Sequence, residues 1–155
     1  MEVPGCINRY HAALYGQVFL GDPPDALVTG MEISNTILQE SKDAIRPGVA
    51  AGDIHELVQS RLSALAGQKS KRASRTAYSI GLAFAPDWGE GEILSMMHGE
   101  KRELRAGMTF HLLAGFVTLH GMPKIRRSCA TDTILVTNEG CETLTSGVEH
   151  KLYVK

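Results

Sequence analysis

A chain of 155 residues with 43% hydrophobic and 21% charged side chains has room for one real core, which excludes a disordered tail. Its formal net charge of −1 supplies no basic surface for nucleic acid or an anionic membrane, so a small molecule or another protein is the expected partner. Cys6, Cys129 and Cys141 show no C-x-x-C spacing, which argues against a disulfide framework or a structural zinc site and suits a reducing cytosol. With no long apolar run and no signal-peptide pattern at the N-terminus, a soluble, cytoplasmic chain is expected.

In chain order, residues 6–20 read as one long apolar and aromatic strand closed by the turn Gly21-Asp22-Pro23-Pro24. Leu27, Met31, Ser34, Leu38, Ser41 and Ile45 then recur at helical spacing until Arg46-Pro47-Gly48 stops the helix. Asp53 and Glu56 resemble a capping arrangement for a second, shorter helix whose apolar face is Ile54, Leu57, Val58, Leu62 and Leu65, ending near Gly67. After the basic loop Lys69-Ser70-Lys71-Arg72, strands are expected over 78–84, 109–120, 133–137 and 152–154. No linker or internal repeat divides the chain, so a single domain over 1–155 is expected. Its class is α+β, two helices packed on one face of a curved, mostly antiparallel sheet.

Several strings taken together resemble a known family. They are Arg9-Tyr10-His11, Val18-Phe19-Leu20-Gly21, Arg46-Pro47-Gly48-Val49, the run Ser74-Arg75-Thr76-Ala77-Tyr78-Ser79-Ile80-Gly81, and Pro86-Asp87-Trp88-Gly89-Glu90. In this order they are similar to the pita-bread superfamily of creatinase, aminopeptidase P and prolidase. Gly107-Met108-Thr109-Phe110-His111, Thr133-Ile134-Leu135-Val136-Thr137 and the final Lys151-Leu152-Tyr153-Val154-Lys155 narrow the likeness to the ectoine-hydrolase branch. The resemblance spans nearly the whole chain and implies the C-terminal half of a pita-bread catalytic domain, without the N-terminal domain of longer members.

Metal-dependent members hold two divalent ions with two Asp, one His and two Glu, because carboxylate oxygens and imidazole suit Mn, Co or Zn. The resemblance places these five positions at Glu2, near Ala13, at Tyr78, at Leu113, and at or near Thr131. At most one ligand survives, so neither metal nor any other cofactor is expected. Ring opening of a cyclic amidine without metal needs an activated water, a group that moves protons at the ring nitrogen, and a carboxylate for the cation. His11, His111, Glu2 and Asp132 are the catalytic candidates, with His11 and His111 as an imidazole pair shuttling protons near neutral pH. Tyr78, Arg75, Asp87 and Trp88 are the substrate-binding candidates. Tyr78 would donate a hydrogen bond, Arg75 would clamp a carboxylate, and Asp87 with Trp88 would hold a small cation by charge and cation–π contact.

Each candidate has a plainer reading: a satisfied core histidine, a packed strand aromatic, or a surface turn at 86–90. The charged run 100–105 reads as a solvated turn without function. Arg126 and Arg127 stand where the family has a more acidic strand, which weakens the case for a cationic substrate. The expectation is a metal-independent hydrolase lineage acting on a C–N bond of a small molecule such as ectoine. A non-catalytic pita-bread remnant serving ligand binding or protein association is the alternative. An open sheet edge leads us to expect a homo-oligomer or a companion half.

Overall fold

The computed structural model describes residues 2–68, 74–82, 93–114, 116–119, 127–147 and 149–155. The chain opens on a hairpin rather than one long strand. β1 (Glu2–Ile7) pairs antiparallel with β2 (Tyr10–Tyr15), from Glu2 opposite Tyr15 to Ile7 opposite Tyr10. Asn8 and Arg9 between them have φ of 51° and 70°, the left-handed pair that a two-residue hairpin turn requires. Asn tolerates this backbone, but the glycine that usually follows it is an arginine here, so the turn escapes sequence reading. After Gly16 a short strand, β3 (Gln17–Phe19), leaves the hairpin.

α1 (Asp25–Ala44) follows the Pro23-Pro24 turn as the spacing predicts and ends before Arg46-Pro47. Its buried stripe is Leu27, Gly30, Met31, Ser34, Ile37, Leu38 and Ser41. The Ser34 and Ser41 hydroxyls each donate to a carbonyl one turn back at 2.7 Å, so both enter the core without an unmade hydrogen bond. α2 (Ala51–Ala66) begins two residues ahead of Asp53, and no side chain caps it, so the expected Asp53–Glu56 capping arrangement does not form. The strap at 100–104 does that work instead. Ala51 N–H donates to the Arg102 carbonyl at 2.9 Å and Gly52 N–H to the Glu100 carbonyl at 2.8 Å, satisfying the free donors of the helix start. The run read as a solvated turn is thus a structural brace, with Leu104 buried beneath it. α2 also buries His55 and Gln59, whereas Leu65 is 40% exposed, so its inner face is less apolar than the spacing implied.

The strands that follow agree only in part with those expected. They are β4 (Arg75–Ser79), β5 (Ser95–Met97), β6 (Thr109–Leu112), β7 (Val117–Thr118), β8 (Arg127–Ser128), β9 (Asp132–Val136), β10 (Cys141–Thr143) and β11 (Leu152–Val154). The strand expected over 109–120 is broken into β6 and β7, and β5, β8 and β10 escape sequence reading because two or three residues show no periodicity. β10-β9-β6-β4-β5 form one antiparallel sheet, and β11 pairs in parallel with β3. The class is α+β as expected, with two helices and a mostly antiparallel sheet.

Period-two alternation then sorts the sheet residues. Phe110, Leu112, Ile134 and Val136 join Ile37, Leu38, Ile54 and Val58 in the helix-side core. Tyr78, His111 and Thr133 are cross-strand partners and share the opposite face. The hairpin covers that face: the Thr133 hydroxyl donates to the Ala13 carbonyl at 2.8 Å and accepts from the Ala13 N–H at 2.9 Å.

The brace on α2 leaves no space for a side chain at Gly52, where a Cβ would stand 2.6 Å from the Glu100 carbonyl oxygen. Gly52→Ala should therefore lower stability in urea unfolding by roughly 1–3 kcal/mol. Gly147→Ala, where a Cβ meets nothing within 4 Å, should stay within about 0.5 kcal/mol of the parent. Equal unfolding midpoints for the two variants would refute the bracing role.

Candidate functional site

His111 lies on the central strand β6, fully buried, and both its ring nitrogens are engaged. Nδ1 is 2.8 Å from the Tyr78 hydroxyl and Nε2 is 3.0 Å from the Thr131 hydroxyl. Thr131 Oγ1 also accepts from the Tyr15 N–H at 2.8 Å. Because either hydroxyl can donate or accept, the imidazole fits the chain Tyr78–His111–Thr131 in either tautomer. Aromatic rings enclose it. Tyr15 stacks on the imidazole with centroids 6.0 Å apart at 11°, and Tyr78 meets it edge-on at 5.2 Å. The exposed Arg75 lays its guanidinium 4.3 Å from the Tyr78 ring centroid, a cation–π contact at the outer end of the chain.

Burial is the main cause that pushes the His111 imidazole down to about 4; the Asp132 charge opposes the shift and the Arg75 charge reinforces it. His111 is therefore neutral at neutral pH and holds one proton shared along a hydrogen-bonded chain. Burial likewise raises the Cys129 and Cys141 thiols, which disfavours their thiolate forms.

Of the expected catalytic set, the structure gathers only part around His111. Asp132 falls on the helix-facing side of β9 opposite Leu112, one residue out of phase with Thr131 and Thr133. Its carboxylate accepts from Lys42 Nζ at 3.0 Å, Thr145 Oγ1 at 2.7 Å and His150 Nε2 at 2.9 Å. Burial alone would raise this carboxyl, but the bonds from His150, Thr145 and Lys42 hold it below its ordinary value. Asp132 ties α1, Thr145 and His150 to the sheet and does not face His111. His11 is on the hairpin opposite Cys6, and its N–H donates to the Gly81 carbonyl. The imidazole pair is not joined directly, since both His111 nitrogens have other partners. The His11 Nδ1 is buried with no hydrogen-bond partner among the described residues. Glu2 begins β1 opposite Tyr15. Asp87 and Trp88 lie outside the described residues.

Tyr15 and Thr131 are partners that sequence reading missed. In sequence Thr131 reads only as a replaced ligand, and Tyr15 only as part of the strand over 6–20. The signal lay in register, since Thr131 and Thr133 alternate onto the face that carries His111. Among the described residues no three His, Cys, Asp or Glu side chains are placed to hold a metal ion.

A neutral buried histidine makes stability depend on pH with a definite sign. Its unfolded value near 6.5 exceeds its folded value of about 4, so the unfolded state binds more protons in that window and stability falls as pH drops through it. Burial lowers His55 in the same direction. Thermal unfolding should show a midpoint that declines from pH 7 towards pH 4, and His111→Gln should flatten part of that slope. A profile that is flat in the parent, or identical in the two proteins, would show that His111 is not buried neutral.

The chain is 30% identical over 155 residues to the ectoine hydrolase of Halomonas elongata, covering 99% of this chain and 36% of that protein. It is 32% identical over 146 residues to an uncharacterized hydrolase/peptidase of Sinorhizobium fredii, covering 94% of this chain and 35% of the relative. It thus spans about a third of the length of these curated relatives. The solved X-Pro aminopeptidase of Thermotoga maritima superposes with a TM-score of 0.82 at 15% identity, over 99% of this chain and 40% of that one, which shows the shared pita-bread fold. The model of metallopeptidase family M24 matches residues 1–138, and the chain belongs to that family.

Proposed function

We propose that this chain is the C-terminal portion of a pita-bread hydrolase domain that acts on a C–N bond of a small molecule, of the ectoine type, without the family's metal pair. The observation that carries this reading is the Tyr78–His111–Thr131 hydrogen-bond chain. Tyr78 and Thr131 are two of the positions where the family resemblance puts metal ligands, and His111 takes up both hydroxyls. The residues here do not fit a dinuclear metal centre: Ala13 and Leu113 offer no donor, and Tyr78 and Thr131 offer neutral hydroxyls.

The chain suits proton transfer instead. When Nδ1–H donates to the Tyr78 oxygen, the Tyr78 hydroxyl takes the donor role towards a leaving ring nitrogen. When Tyr78 donates to Nδ1, its oxygen accepts from outside, as from an attacking water. Tyr78 can thus accept a proton as water attacks and return it to the leaving nitrogen within one turnover. His11 Nδ1, whose unmade hydrogen bond costs about 1–3 kcal/mol, provides a second group for substrate or water. Glu2, Asp87 and Trp88 remain the proposed holders of a cationic ring, and Arg75 beside Tyr78 that of a carboxylate. The ectoine hydrolase relative supports the substrate class.

Incubating the purified chain with ectoine, in EDTA and with added manganese, and following ring opening by mass, tests the reading. Turnover should be equal in both conditions and fall about 100-fold or more in Tyr78→Phe, which removes only the hydroxyl. Turnover that requires manganese, or none at all, would overturn it.

A non-catalytic role in association is favoured by a different observation. Ile7 is 77% exposed, Tyr10 65%, Leu20 75% and Val154 54%, a run of apolar side chains along the hairpin and the β3–β11 pair. Light scattering should find a dimer or larger species that Ile7→Lys with Leu20→Lys disperses; a parent that is monomeric throughout would leave this second reading without support.

A further inference from the structure

The two hydroxyls that flank His111 are not equivalent. Thr131 is fully buried, and its oxygen already accepts from the Tyr15 N–H at 2.8 Å. A buried hydroxyl also carries a proton that needs an acceptor, and leaving that bond unmade is costly. Thr133, two residues on, meets the same demand through the hairpin backbone: its oxygen accepts from the Ala13 N–H at 2.9 Å, and its proton goes to the Ala13 carbonyl at 2.8 Å. No carbonyl takes that place at Thr131. Among the described residues the one acceptor bonded to its hydroxyl is His111 Nε2, at 3.0 Å. Tyr78 closes the other end of the chain beneath the exposed Arg75, where its oxygen can accept from Nδ1–H at 2.8 Å while its own proton goes to another group.

We propose that Thr131 is a positioning residue that sets the resting tautomer of His111. Its hydroxyl donates to Nε2, so the imidazole proton sits on Nδ1 and is given to the Tyr78 oxygen. Every donor in the chain then points from Thr131 towards Tyr78, and Tyr78 rests as a donor. The opposite tautomer, in which Tyr78 donates to Nδ1 and accepts from outside, leaves the Thr131 proton without an acceptor; it is the minor form, which water attack must populate. The atom that first meets Tyr78 is therefore one with a lone pair, a ring imine nitrogen or a carbonyl oxygen, rather than the N–H of a cationic ring. This assignment rests on the hydrolase reading for the use of Tyr78, but not for the tautomer, which exists without substrate.

Nitrogen NMR of the chain labelled at histidine reads the tautomer directly, with His111→Gln identifying the signals. At neutral pH the parent should show a protonated Nδ1 and a bare Nε2 at His111. Thr131→Val, which keeps the shape and loses the hydroxyl, should raise the share of the Nε2-protonated form about tenfold or more, and Thr131→Ser should restore the parent pattern. Tyr78→Phe should keep the proton on Nδ1, because Thr131 still donates to Nε2. A parent with the proton on Nε2, an unchanged pattern in Thr131→Val, or a reversed one in Tyr78→Phe would overturn the proposal. Failure of the hydrolase reading alone would appear as intact control of the tautomer by Thr131 with no ring opening of ectoine.

Discussion

The antiparallel pairing of β6 with β4 and β9 decides most of what this molecule can do. Phe110 and Leu112 face the helices while His111, between them, faces the hairpin, and the cross-strand register brings Tyr78 and Thr133 level with it. A shift of one residue would place His111 against Ile54 and Val58 and Phe110 against the hairpin, which inverts every side chain on the strand. The apolar packing on the helix side holds that register because so many fully buried side chains depend on it.

Two polar clusters follow from the same alternation, one on each side of β9. Thr131 and Thr133 belong to the hairpin side, where one bonds His111 and the other bonds the backbone of Ala13. Asp132 belongs to the helix side, where Lys42, Thr145 and His150 surround it. The first cluster is neutral and shares a proton; the second is charged and holds elements together. Removing Asp132 leaves the largely buried Lys42 ammonium without its carboxylate, so the second cluster contributes to stability.

The neutrality of the first cluster sets its chemical range. An imidazole pushed down to about 4 is a weak base, held neutral between two hydroxyls. Tyr78 ends this chain beneath the Arg75 guanidinium, and the Tyr15 ring stacks on the imidazole at its centre.

Much of the fold was legible in the residues themselves. The spacing from Leu27 to Ser41 marks α1, Arg46-Pro47-Gly48 marks its end, and the family likeness rests on strings that survive intact from Arg9 to Lys155. Local patterns of this kind act within a few residues of chain, so the amino-acid order alone determines them. What only the tertiary structure decided is relational. The hairpin turn at Asn8-Arg9 is held by twelve paired residues rather than by turn chemistry, and the start of α2 is capped by a backbone strap some fifty positions away. Asp132 and Thr131 are neighbours in sequence, where the first reads as a catalytic candidate and the second as a replaced ligand. They part company because a strand turns successive side chains to opposite faces, and which face meets His111 depends on pairings that no local window contains.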